Sequence, residues 1–196
     1  MLRLIGRLKS YLKKTNEIVK DFLSEPDRLV FFFDEGRFGL KPSLGRYWAR
    51  KGTRPHSAVK PGYTNFYLYS SVSPHTGESF TLLLPWVNTE VMNFYLKALS
   101  NEYPNKKLML IMDGAGWHHS KELMSHENIK IEFLPAYSPE LNPVEKLWQW
   151  LRRHVCRNRL FCSENELVES LCEGIQKLLK PQLASLCRCS YLLDFN

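Results

Sequence analysis

The sequence predicts an α/β fold in which a mixed central sheet is flanked by helices, and three observations lead there. Two short, unbroken apolar runs, Leu29–Phe33 and Leu108–Met112, have the pattern of strands covered on both faces, and each finishes on an aspartate, Asp34 and Asp113. Between them lies a hairpin pattern: alternation from Thr64 to Val72, the turn Pro74-His75-Thr76-Gly77, and a further strand from Ser79 to Leu84. Downstream, helical spacing alternates with strand patterns, the order that builds helices onto a sheet.

The first element is an amphipathic basic helix, with Leu4, Leu8, Leu12, Val19, Phe22 and Leu23 at near-helical spacing among Arg3, Arg7, Lys9, Lys13, Lys14 and Lys20. Glu25-Pro26-Asp27 ends it. After the first buried strand comes a Gly- and Arg-rich stretch, Gly36 to Pro61, and then the hairpin. A helix starts at the capping candidate Asn88 or Thr89 and runs through Met92, Tyr95, Leu96 and Leu99. The second buried strand is followed by a short helix, a strand from Ile129 to Leu134, and a Pro- and Ser-rich turn, Pro135 to Pro139. That turn leads into a helix from about Pro143 to Val155. Leu167, Leu171, Ile175, Leu178 and Leu179 mark a last helix on the same core. The expected partition is a basic helix or linker over 1–26, one core domain over 27–180, and a tail over 181–196.

Composition narrows the class of partner. Lys and Arg number 27 against 20 Asp and Glu, a formal charge of +7, which favours a polyanion such as nucleic acid. Five cysteines, Cys156, Cys162, Cys172, Cys187 and Cys189, are odd in number and crowded near the end, unlike a secreted disulfide framework. Cys-x-Cys without a second spaced pair is a poor zinc pattern, and buried or exposed thiols are the plainer reading. The first 23 residues mix apolar and basic side chains too evenly for a signal peptide, and no apolar run reaches ~18 residues. A soluble, cytoplasmic protein with no membrane partner is expected.

Carboxylates at strand ends sit on the rim where α/β sheets place ligands, which makes Asp34 and Asp113 candidates. Glu145 has two readings. In Asn142-Pro143-Val144-Glu145 it stands where a capping glutamate would, with Asn at the N-cap and Pro at the first helical position. At ~100° per residue it also flanks the apolar stripe Val144, Leu147, Trp148, Leu151 and Val155, from which a side chain can look over the rim. Three acids converging there would suit hard divalent cations, Mg²⁺ or Mn²⁺, and two such ions can drive in-line attack at a phosphodiester.

Several blocks carry a resemblance. Phe32-Phe33-Asp34-Glu35, Tyr47-Trp48-Ala49-Arg50-Lys51-Gly52, Met112-Asp113-Gly114-Ala115-Gly116-Trp117-His118 and the long block from Leu134 to Trp148 are similar to the DDE transposases of the mariner superfamily. Within that superfamily they resemble the bacterial insertion-sequence branch. The resemblance covers roughly Leu29 to Val155 and implies an RNase H-like catalytic domain. It also implies Asp34, Asp113 and Glu145 as the catalytic and metal-binding triad of a two-metal site (Mg²⁺ or Mn²⁺). Asp34 and Asp113 would share one ion and Glu145 would bind the other. The implied activity is cleavage and strand transfer of DNA at transposon ends, in a homodimer, in a bacterial or archaeal cytoplasm and associated with the nucleoid.

Beside the triad, Glu35 should face the other way along its strand, near the site but not as a first-choice ligand, and His118 matches a histidine of the family. His119 has no such match and reads as solvent-facing. Arg46, Arg50, Lys51 and Arg54, interleaved with Tyr47, Trp48 and His56, fit phosphate contacts and stacking, or else a solvated hairpin. Arg152 and Arg153, with Arg157 and Arg159, offer a second basic segment against the DNA backbone. One basic helix precedes the first catalytic strand where the family carries a helix-turn-helix. The alternatives there are one half of a split frame with a separate helix-turn-helix polypeptide as partner, a truncated copy, or a catalytic domain alone. A nuclease that does not join strands, and an inactive DNA-binding remnant, are the rival functions.

Overall fold

The computed structural model describes residues 2–41, 50–53 and 64–189, with side chains throughout except at 2–10, 117 and 119. The strands β1 (Arg28–Gly39), β2 (Asn65–Val72), β3 (Ser79–Leu84), β4 (Lys107–Met112) and β5 (Ile129–Phe133) form one sheet in the order β3-β2-β1-β4-β5. The three strands β1 to β3 are antiparallel, whereas β1, β4 and β5 run parallel, so the sheet is mixed. The helices are α1 (Leu2–Leu23), α2 (Thr89–Glu102), α3 (Val144–Leu151), α4 (Glu164–Gln176) and α5 (Lys180–Leu186).

The unbroken apolar run of β1 explains the layering. Val30 and Phe32 point into one buried cluster with residues of α1, α3, α4 and α5, while Phe31 and Phe33 point into the other with Met92, Tyr95, Leu96 and Leu99 of α2. Each fully buried side chain of this size contributes roughly 1.5–3 kcal/mol, so the register of β1 is pinned from both sides. A slip of one residue would exchange the two faces and carry Asp34 to the side of α2. The hairpin turn is closed by Ser73 and Gly77, the glycine at φ 73°, and Asn88 caps α2 by accepting from the Val91 amide at 2.8 Å.

Three boundaries differ from expectation. First, β1 does not stop before Asp34 but runs on to Gly39, because β2 continues to pair with it from Asp34↔Ser70 to Gly39↔Asn65 after β4 has left. Gly36 makes that extension possible: a Cβ there would lie 2.7 Å from the Trp148 indole. Second, α3 ends at Leu151 and passes into a widened π turn over Arg152–Cys156. Third, the last helix is two helices. Pro181 in the first turn of α5 cannot continue a preceding helix, and α4 has ended at Gln176. Leu183, Cys187 and Cys189 lie in the buried cluster, so the stretch expected as a tail from 181 packs on the core as far as it is described. At the other end Val19 and Phe22 of α1 are buried and the Tyr11 hydroxyl donates to the Phe133 carbonyl, which ties the basic helix to β5.

Candidate active site

Parallel pairing of β1 with β4 ends at Phe32↔Ile111. Two residues further along each chain stand Asp34 and Asp113, on the face that Phe32 and Ile111 share with Trp148. Neighbouring strands are ~4.8 Å apart, so the two aspartates leave the sheet side by side. Val144, Leu147, Trp148 and Leu151 bury α3 on that same face, which brings Glu145, the second residue of the helix, over the rim. Asp34, Asp113 and Glu145 line one cavity of about 370 Å³, together with Leu134, Tyr137 and Asn142.

The start of α3 is held by Asn142. Its extended backbone precedes Pro143 at φ −67°, its Oδ1 accepts from the Val144 amide at 3.2 Å, and its Nδ2 donates to the buried Phe33 carbonyl at 2.8 Å. Glu145 makes no capping bond: among the described residues no side chain bonds the helix start in the manner of a capping box. The carboxylate that the sequence alone left between two readings therefore faces the cavity without a backbone partner.

Charge is unevenly compensated here. Burial is the main reason that the Asp34 carboxyl is pushed up, to about 7; the Trp148 Nε1–H, donating to Oδ2 at 2.7 Å, works against it, and the charges of Glu145, Glu35 and Asp113 add to the rise. On the opposite face, Glu35 meets His118, whose Nε2 lies 3.0 Å from Oε1, while Nδ1 lies 2.9 Å from Asp113 Oδ1. Burial would lower the pKa of His118, but the hydrogen bonds to Asp113 and Glu35 outweigh it and push the imidazole up to about 10. The ring also stands edge-on to Phe33, 5.8 Å between centroids. Glu35 thus points away from Asp34, as strand alternation requires, yet is coupled to Asp113 through one histidine.

The three acids that meet at this rim offer carboxylate oxygens, the chemistry that hard divalent cations take, and their like charges add to the rise that burial gives the Asp34 carboxyl, a repulsion that a dication would relieve. Among the described residues no three His, Cys, Asp or Glu side chains already close on a common point. Like charges repel, and Asp113 is engaged by His118, which keeps the three carboxylates apart.

Trp148 and Asn142 are the residues that sequence reasoning placed only as packing and cap. The signal for Trp148 was available, because a buried indole N–H needs an acceptor and the neighbouring face carries Asp34. Of the expected DNA contacts, Arg46, Trp48 and Arg54 lie outside the described residues. Arg50 and Lys51 are exposed in a short turn, Arg153 is exposed on the π turn, and Arg152 lies over the Phe38 ring, 5.3 Å from its centroid. Arg50, Lys51, Arg152 and Arg153 do not line the acidic cavity. Cys156, Cys187 and Cys189 are buried thiols, pushed by burial up to about 11, 12 and 12.

The chain is similar to several known proteins. A protein of Sinorhizobium fredii (strain NBRC 101917 / NGR234), uncharacterized protein y4pE/y4sA, is 37% identical over 114 residues, 58% of this chain and 84% of that protein. The insertion element IS630 uncharacterized 39 kDa protein of Shigella sonnei is 29% identical over 148 residues, 72% of this chain but 43% of that protein. The Mos1 transposase paired-end complex with left transposon end superposes with a TM-score of 0.71 at 18% identity, over 95% of this chain and 59% of that one. The catalytic domain of Mos1 mariner transposase does so at 0.52 and 15%, over 97% and 96%. At such identities the likeness establishes the fold, which is RNase H-like. The chain spans less than two thirds of the IS630 protein and of the full Mos1 chain. The family described as DDE superfamily endonuclease matches residues 29–168, from the first apolar strand through Asp34, Asp113 and Glu145 into α4. The chain belongs to that family.

Proposed function

We propose that this is the catalytic domain of a DNA transposase that cleaves and joins strands at transposon ends with divalent metal. The observation that carries the reading is the convergence of Asp34, Asp113 and Glu145, from two strand ends and one helix start, on a single cavity beside a family match that spans all three. These residues would hold Mg²⁺ or Mn²⁺, which supplies charge neutralisation and an activated water or 3′-hydroxyl for attack at phosphorus. Trp148 fixes one oxygen of Asp34, Asn142 anchors the helix that presents Glu145, and His118 holds Asp113 while neutralising Glu35. The proposed substrate is transposon-end and target DNA, consistent with the net charge of +7. The proposed working unit is a homodimer in the cytoplasm, at the nucleoid, with end recognition by a helix-turn-helix polypeptide. Among the described residues no helix is long and apolar enough to cross a membrane.

The test is Mn²⁺ titration followed by thermal denaturation, beside Mg²⁺-dependent cleavage of an end substrate supplied with an end-binding partner. Mn²⁺ should stabilise the parent and much less Asp34→Asn or Asp113→Asn, and each variant should lose about a thousandfold or more in cleavage. Equal stabilisation of all three proteins sinks the shared site. Cleavage without joined products would make the domain a hydrolytic nuclease.

A further inference from the structure

A second cavity, about 490 Å³, opens beyond the acidic one along β1, and its lining includes Arg37, Lys41 and Arg152 beside Phe38, Asn65 and Phe161. Among the described residues that line it none is acidic. Among the described residues, Arg37, Lys41 and Arg152 have no carboxylate within salt-bridge reach, although other cations of the chain, such as Lys106, Lys177 and Lys180, do. Arg152 lies over the Phe38 ring, which holds its guanidinium at the cavity without neutralising it. Among the described residues Lys41 and Arg152 are two uncompensated cations at one concavity, with Arg37 beside them on the other face of β1, opposite Tyr67, so the arrangement gains from an anion.

We propose that this cavity is a phosphodiester-binding pocket for the DNA that enters the acidic site. The proposal rests on the DNA-processing reading above and adds to it where the backbone is held. Strand geometry links the two places. Asp34 and Arg37 lie on the same strand, so the pocket begins about three residue steps, ~10 Å, from the triad. At 3.4 Å of duplex axis per nucleotide that is roughly three nucleotide steps, within reach of a single bound duplex. Arg152 offers two parallel N–H groups to phosphate oxygens and Lys41 a point charge, while Phe38 and Phe161 give the sugar an apolar wall. The cavity is wide enough for a sugar-phosphate unit and lacks the acids that would draw a metal there.

The experiment is equilibrium binding of a fluorescent 20-base-pair duplex of arbitrary sequence in EDTA, from 50 to 200 mM salt, where cleavage cannot occur. Lys41→Gln and the pair Lys41→Gln/Arg152→Gln are compared with the parent and with Lys97→Gln/Lys106→Gln, a charge-matched pair on and just after α2. Thermal denaturation confirms that each is folded, and Lys41→Gln, on an exposed side chain, serves if Arg152→Gln is not. The pocket variants should lose about five- to tenfold in affinity at 50 mM salt, and the slope of log affinity against log salt should fall by about one for each phosphate contact removed. Lys41→Arg should restore both. The α2 pair should bind like the parent. A slope unchanged in the pocket variants, or an equal loss in the α2 pair, overturns the pocket and leaves the DNA-processing reading in place. A parent that binds no duplex overturns both.

Discussion

Asp34 and Glu35 are adjacent in sequence, both carboxylic acids and both largely buried, yet the two faces of β1 treat them in opposite ways. On the α3 face Asp34 has one neutral donor, the Trp148 indole, and sits among the charges of Glu145, Glu35 and Asp113. On the α2 face Glu35, 7% exposed, lies against the His118 imidazole, itself 1% exposed. Among the described residues one acid has no cation beside it and the other is supplied with one. Unsatisfied charge marks the place where a ligand has work to do, whereas the satisfied pair beside it reads as scaffold.

Varying pH without metal should separate the two faces most strongly. The carboxyl of Asp34 is raised from the usual 3.8 to about 7. Its contribution to stability is therefore full below about pH 4 and is lost as pH rises through 7, by linkage at most ~4 kcal/mol. For His118, raised from 6.5 to about 10, the contribution is full below about 6.5 and lost as pH rises through 10. Urea unfolding from pH 4 to 10 should show two descending limbs. Asp34→Asn should flatten the first and leave the second, and Mn²⁺ should lift the first in the parent. A single limb insensitive to Asp34→Asn would contradict the contrast.

Next in size is the removal of the internal cation. His118→Ala takes the imidazole away from the buried Glu35 carboxylate, and breaking such a pair costs about 3 kcal/mol at pH 7. In a Glu35→Gln background the same change should cost clearly less, because no charge is stranded. Equal costs in the two backgrounds would mean that His118 contributes through Asp113 and packing on Phe33, not through Glu35. Trp148→Phe is a smaller perturbation. It keeps a ring against Gly36 and Phe38 but removes the N–H, for an expected loss of about 1–2 kcal/mol. It should also move the Asp34 titration, followed by carboxyl ¹³C NMR, to still higher pH, and an unmoved titration would show that the 2.7 Å contact does not set it.

The smallest effect separates Glu145 from a helix cap. A capping glutamate replaced by Ala would cost on the order of 1 kcal/mol more than one replaced by Gln. Since the Glu145 carboxylate makes no such bond, Glu145→Ala and Glu145→Gln should unfold within about 0.5 kcal/mol of each other, and both should lose metal-dependent cleavage.

The layer order and most strand limits were legible because continuous apolar runs and period-two alternation report burial directly. Even the pairing of the aspartates was in reach, since each follows five apolar residues and the observed register sets Leu29 opposite Leu108. What stayed out of reach depends on partners distant in sequence. The continuation of β1 to Gly39 needs β2, and a Gly-Arg composition by itself reads as loop. The break before α5 was masked by leucines that keep helical spacing across it. The choice between cap and cavity for Glu145 turns on Asn142, whose bond to Phe33 spans the chain from β1 to α3 and leaves no local pattern.

That bond also has a consequence for motion. Where β4 departs, the Asn142 amide meets the Phe33 carbonyl, so a side chain adds one rung to a ladder the sheet no longer provides. The rim of β1 and the first turn of α3 are thereby spliced, and neither end can fray while the other stays closed. Opening at this rim should follow the slow rhythm of cooperative local unfolding rather than the nanosecond flicker of a surface loop. The amides of Val144 and Glu145 should then exchange with solvent at a common rate, and the two aspartates and the glutamate keep their mutual positions between turnovers.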